Sequence, residues 1–253
     1  MLIEFAPIIY TALRKYLSAG SLSMISYEGI KVIGFDADDT LWVNEPFFRE
    51  AENTFCRLMT EYAEHDQVRQ ALYTTQVQNL DIYGYGVKGF VLSMMECALA
   101  HSPGQLDQNV HEKMIEIGKD MLDKPVDLLS GVESTLDCLS KKYMLILITK
   151  GDLLDQQKKV TKSGLRRFFR HIEVVSNKSA ESYRSLLKRL CITIENFLMV
   201  GNSLKSDVIP PIEIGAEAVY LPFDTTWNHE KLDDVGESRF MTISSIEHLK
   251  EIL

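Results

Sequence analysis

A chain of 253 residues with 45% hydrophobic and 25% charged side chains has the make-up of a globular protein: one large domain, or a core carrying a smaller insertion. Its 27 basic and 36 acidic side chains leave a net charge of -9, a sign that repels a polyphosphate backbone, so no nucleic-acid partner is expected. No apolar run reaches the ~18 residues of a membrane span, and Cys56, Cys97, Cys138 and Cys191 are dispersed without metal or redox spacing, which points to a reducing, cytoplasmic setting.

Residues 1–23 read as an N-terminal extension. Glu4 stands where a secretory signal would carry its positive charge, and 7–17 reads as a short helix with Arg14 and Lys15 inside it. Met24, just ahead of the first apolar run, is a candidate start. Residues 30–35 form that run, which ends in a cluster of aspartates. Similar runs follow at 143–148, 172–175, 197–200 and 218–221, with helical patterns at 133–141, 153–163, 179–190 and 206–214. A terminal strand at 240–243 and a helix at 246–253 complete the series. Regular alternation of strand and helix predicts a doubly wound parallel α/β sheet, built from residues 24–44 and 125–253.

Residues 45–124 break the rhythm. Phe47, Phe48, Ala51, Phe55, Leu58, Met59 and Tyr62 recur at helical spacing, and further helices are predicted at 68–80, 87–100 and 110–122. This block is expected to be a separate all-helical domain. Its loop 81–89, rich in glycine, offers Tyr83, Tyr85 and Lys88 as candidate substrate contacts.

The run from Phe35 to Trp42, Phe-Asp-Ala-Asp-Asp-Thr-Leu-Trp, lies where a parallel strand leaves the sheet, the edge at which such sheets bind ligands. Extended chain repeats every two residues, so Asp36 and Asp38 project to one side. Two mutually repelling carboxylates suit a metal, or a nucleophile and an acid. Asp39 reads as a turn residue, and the six histidines show no metal spacing. The next run stops at 148 and places Thr149 at a strand end, a hydroxyl with free backbone N–H groups following, suited to an anionic oxygen, with Lys150 beside it as a candidate substrate contact. The third delivers Lys178 to the same edge. The fourth runs into Gly201, followed by Asn202 and Asp207.

Taken in this order, Asp36-x-Asp38-x-Thr40, Thr149, Lys178 and Gly201-Asn202 to Asp207 resemble the haloacid dehalogenase (HAD) superfamily from about Ile30 onward, and the helical block resembles its type-1 cap. The resemblance implies a Rossmann-like core whose first strand is central, flanked by the second and fourth. It further implies a phosphatase in which Asp36 attacks phosphorus and becomes an aspartyl-phosphate. Asp38 serves as acid and then base, Thr149, Lys150 and Lys178 contact the phosphoryl group, and Mg2+ is bound by Asp36, Asp38, Asn202 and Asp207. The substrate is expected to be a small phosphorylated metabolite or nucleotide. Two positions depart from the family pattern: Asn202 stands where aspartate is usual, and Ser179 follows the lysine where proline is common. The dehalogenases of the family lack a second aspartate, so Asp38 argues against that chemistry. A phosphomutase, or a catalytically weak phosphate-binding relative, fits the same motifs. A receiver-type signalling module would instead carry its acceptor aspartate after a later strand. Oligomeric state is not legible.

Overall fold

The computed structural model describes residues 27–232 and 240–253, apart from 103 and 105. The helix read at 7–17 and the candidate start at Met24 lie outside the described residues.

Strand β1 (Val32–Phe35) is buried along its whole length, as an apolar run in the middle of a parallel sheet must be. It pairs with β2 (Met144–Lys150) on one side and β4 (Phe197–Gly201) on the other. With β3 (His171–Val175), β5 (Glu217–Tyr220) and β6 (Met241–Thr242) the order is β3-β2-β1-β4-β5-β6, every pair parallel. Phe35 stands level with Leu147 and Val200, so the three central strands deliver their next residues to one edge.

Side chains alternate across the sheet. Ile33, Phe35, Leu145, Leu147, Leu198 and Val200 pack one face against Leu136 of helix α5 (Val132–Leu139) and Val160 of α6 (Leu153–Lys162). Val32, Ile146, Ile148, Phe197 and Met199 pack the other against Tyr183 and Leu187 of α7 (Ala180–Arg189). Both faces are therefore covered, the doubly wound arrangement expected from the sequence.

The insertion is all helical: α1 (Glu45–Leu58), α2 (His65–Tyr83), α3 (Val87–His101) and α4 (Gln108–Asp123). Phe55, Met59, Leu72, Phe90, Met94 and Met114 give it a core of its own. Chain leaves and returns side by side: Val43 N donates to Asp127 O at 3.0 Å, and Leu129 N to Leu41 O at 3.0 Å.

Three elements differ from expectation. Strand β2 runs on through Thr149 and Lys150 instead of stopping at 148. Helix α2 continues to Tyr83 and ends at Gly84, whose φ of 72° suits a residue without a Cβ, so the loop shrinks to three residues. The helix read at 206–214 is instead a π turn (Leu204–Val208) followed by α8 (Ile209–Glu213). Pro210 and Pro211 lack N–H groups and fit only the first turn of a helix, so a new helix must start there. Among the described residues no helix is long and apolar enough to cross a membrane.

Candidate active site

Four separated segments meet at the carboxyl edge of the sheet. Asp36 extends the ladder past β1, its N donating to Val200 O at 2.9 Å. Lys178, only 3% exposed, bridges two carboxylates: its Nζ donates to Asp36 Oδ1 at 2.5 Å and to Asp207 Oδ1 at 2.6 Å. Asp207 Oδ2 accepts from Ser203 N at 3.0 Å. The approach needs glycine at 201, because a Cβ there would lie 2.5 Å from the Asp207 Cβ. Burial alone would lower Lys178; Asp207 and then Asp36 more than reverse this and hold it at about 12, so it remains an ammonium. Burial pushes Asp36 up, Lys178 draws it back, and Asp207 pushes it up again, leaving it above the usual carboxylate range.

Asn202 faces this group. One terminal atom of its amide lies 3.2 Å from Thr40 Oγ1, 3.3 Å from the Asp38 carbonyl oxygen and 3.3 Å from Asp36 Oδ2. Thr40 Oγ1 in turn donates to Asp36 Oδ2 at 3.0 Å. With nitrogen at that position the amide donates to all three oxygens; with oxygen there, Asp36 Oδ2, Asp38 O and Asn202 Oδ1 form an all-oxygen cluster. Hard divalent cations take such oxygen ligands. With the Asn202 oxygen turned inward, the donor set would fit magnesium at Asp36, the Asp38 carbonyl and Asn202. Asp207, expected among the ligands, accepts from Lys178 Nζ through Oδ1 and from Ser203 N through Oδ2.

Asp38 lines the same cavity. Trp42 Nε1 donates to its Oδ1 at 2.7 Å and Gln156 Nε2 to its Oδ2 at 2.8 Å, while Lys159 Nζ sits 3.1 Å and 3.3 Å from the two oxygens. Asp39 occupies a left-handed turn with φ 61°, and its carboxylate accepts from Asn44 N at 2.8 Å and Glu45 N at 3.0 Å. It starts helix α1, which is a turn-and-cap role.

The cavity, about 180 Å³, is walled by the sheet edge below and the helical insertion above. Thr149 lines it and is almost fully buried. Lys150 lines it too, but its ammonium is already engaged: Nζ donates to Glu230 Oε1 at 2.6 Å and Ser206 Oγ at 2.9 Å, and lies 4.1 Å from the Tyr85 ring centre. Burial would raise Glu230, yet Lys150 and the hydroxyls of Ser203 and Ser206 hold it at about 2. Tyr85 packs edge-on to Trp227 at 6.2 Å, and Trp227 in turn packs against Tyr73 at 6.4 Å, joining core loop to cap. Tyr83 and Lys88, expected at the substrate, do not line the cavity. Tyr83 belongs to α2 and donates to Glu96 Oε1 at 2.7 Å, and Lys88 pairs with Asp152 at 2.9 Å. Helix α2 outlasting its expected end accounts for Tyr83, whereas Lys88 lies in the first turn of α3.

A family model described as haloacid dehalogenase-like hydrolase matches residues 30–215. The chain belongs to the haloacid dehalogenase-like hydrolases. This hydrolase is 23% identical over 237 residues to the 5-amino-6-(5-phospho-D-ribitylamino)uracil phosphatase YigB of Escherichia coli K12, covering 86% of this chain and 96% of that one. Among solved structures, a haloacid dehalogenase-like family hydrolase from Xanthomonas campestris is 34% identical with a TM-score of 0.79, over 88% of this chain and 90% of the other. The HAD-hydrolase YfnB of Bacillus subtilis, solved bound to magnesium, is 20% identical with a TM-score of 0.60, over 89% and 99% of the two chains. That last likeness speaks to fold alone.

Sequence reasoning missed Gln156, Lys159, Glu230 and Trp227, all of which line this hydrolase's cavity. For the first two a signal existed: Asp155, Gln156 and Lys159 put a polar stripe next to Val160, on the side of α6 that meets the sheet. Glu230 and Trp227 sit in a remote loop with no pattern to mark them.

Proposed function

We propose that this hydrolase is a magnesium-dependent phosphomonoesterase of the cytoplasm, acting on a small phosphorylated metabolite or nucleotide through a phosphoryl group carried on Asp36. The observation that carries this reading is the buried Lys178 bridge between Asp36 and Asp207, with Asp38 lining the same cavity. Such a bridge places a fixed positive charge beside Asp36, where a phosphoryl oxygen would come to lie, and positioned charge is the main source of catalysis in phosphoryl transfer.

A carboxylate oxygen of Asp36 attacks phosphorus in line, and the bond from phosphorus to the ester oxygen breaks. Asp38 gives its proton to the departing oxygen, so an alcohol leaves. Water then attacks the phosphorus on Asp36, Asp38 takes that water's proton, and the bond to Asp36 breaks, releasing phosphate and restoring both carboxyls. Thr149, whose hydroxyl donates to the Lys150 carbonyl at 3.3 Å, turns that hydrogen to a phosphoryl oxygen when substrate binds. Magnesium, when bound by Asp36, the Asp38 carbonyl and Asn202, offsets negative charge that opposes attack by one anion on another. A halide needs no proton on leaving, so Asp38 favours a phosphate ester over a haloacid. The named activity of YigB supports a phosphate ester as substrate, and the free, dispersed cysteines support a reducing compartment.

Replacing Asp36 by Asn keeps the shape and removes the nucleophile. Steady-state turnover of p-nitrophenyl phosphate by Asp36→Asn is expected to vanish into background. A variant that kept half the wild-type rate would overturn the covalent route.

A further inference from the structure

Asp38 is gripped more tightly than a loop carboxylate requires. Trp42 Nε1, Gln156 Nε2 and Lys159 Nζ all donate to it, at 2.7, 2.8 and 3.1 Å. Lys159 also donates to Asn44 Oδ1 at 2.7 Å and lies 3.7 Å from Asp155. Asn44 is where the chain passes into the helical insertion, directly before α1. Gln156 is held at a cost. Its Oε1 is buried without a partner, and an unsatisfied buried polar atom is costly. A residue retained on those terms is there for what its Nε2 does, which is to bond Asp38 and the Lys150 carbonyl.

The reaction asks one carboxyl to meet the leaving oxygen and then a water at nearly the same point in space. A misplacement of ~1 Å costs about 100-fold in rate, so the seat of Asp38 matters as much as its chemistry. We infer that Lys159 is a positioning residue: it fixes the Asp38 carboxyl and ties it to Asn44, so that the acid and the cap are set by one ammonium. Trp42 and Gln156 complete the seat. The inference rests on the acid role given to Asp38 above.

The test uses kcat/KM for aryl phosphates graded from p-nitrophenyl to unsubstituted phenyl. A p-nitrophenolate leaves as a stable anion and gains little from a proton, whereas phenolate needs one. Because a general acid contributes ~10²–10⁴-fold, Lys159→Met is expected to lose about tenfold or more on phenyl phosphate and about threefold or less on p-nitrophenyl phosphate. Lys159→Arg should recover most of the phenyl phosphate rate. In an Asp38→Asn background, Lys159→Met should change neither rate further, since both residues then act through one missing group. Equal loss across the series, or a full additional loss in the Asp38→Asn background, would overturn the positioning role. If Asp38→Asn itself fails to steepen the series, the acid assignment falls first. The two failures are thus distinct.

Discussion

Replacing Gly201 by alanine inserts one methyl group at the point where Asp207 reaches Lys178. The new Cβ would stand 2.5 Å from the Asp207 Cβ and closer still to its carboxylate, whereas carbon atoms rest ~3.5–4.0 Å apart. Gly201 is the last residue of a central strand and cannot withdraw without disturbing the ladder, so Asp207 must move by about 1 Å. It then loses Ser203 N at 3.0 Å and Lys178 at 2.6 Å, leaving a buried ammonium with one carboxylate in place of two. A hydrogen bond to a charged group contributes ~1.5–3 kcal/mol and overpacking costs ~1–3 kcal/mol, so the variant should lose about 3–5 kcal/mol. Urea unfolding with unchanged slope reads this directly, and turnover of p-nitrophenyl phosphate should fall with it because Lys178 is no longer aimed at Asp36. A Gly201→Ala protein within about 0.5 kcal/mol of wild type and near-normal in rate would show that Asp207 does not need its present place.

Other outcomes follow from the same geometry. Lys178→Met leaves Asp36 and Asp207 buried without their counter-ion, and removing one partner of a buried pair costs ~3–5 kcal/mol; thermal unfolding should register it together with loss of turnover. Glu230 is held at about 2 against an ordinary 4.5, which corresponds to about 3 kcal/mol of stability. A depressed carboxylate contributes above its unfolded value and loses that contribution as pH falls towards its folded one. The stability gap between wild type and Glu230→Gln should therefore be largest near neutral pH and shrink as pH drops from about 5 towards 2, measured by urea unfolding across that range. Asn202→Asp places a full charge in the oxygen cluster, and the magnesium concentration giving half-maximal rate should fall several-fold, since ligand charge tunes affinity at oxygen sites.

Much of the site could be read from the chain because parallel strands present their next residues at one edge. Asp36, Thr149, Lys178 and Asp207 each follow an apolar run, and the sheet order brings those runs together. Asp38 was legible for the same reason, two residues on. Its surroundings were not. Gln156 and Lys159 lie in the polar stripe of α6, and only their contacts with the Asp38 carboxylate give them a role. Lys150 lines the cavity, but its pairing with Glu230 could not be read, because Glu230 lies eighty residues away in sequence. Tyr83 failed over a helix terminus: Asp81 and Ile82 carry no stop signal, and α2 runs on to Gly84 with its positive φ, while Lys88 lies in the first turn of α3, paired with Asp152.

The side-by-side departure and return of the chain at Val43 and Asp127 has an evolutionary corollary. An insertion whose two stems are already hydrogen-bonded to each other can be lengthened, shortened or exchanged without shifting the register of any strand beneath it. What is recognised can thereby change with the sheet edge intact, provided that Asn44, which Lys159 bonds together with Asp38, keeps its place. Diversification by module replacement is built into the way this chain is threaded.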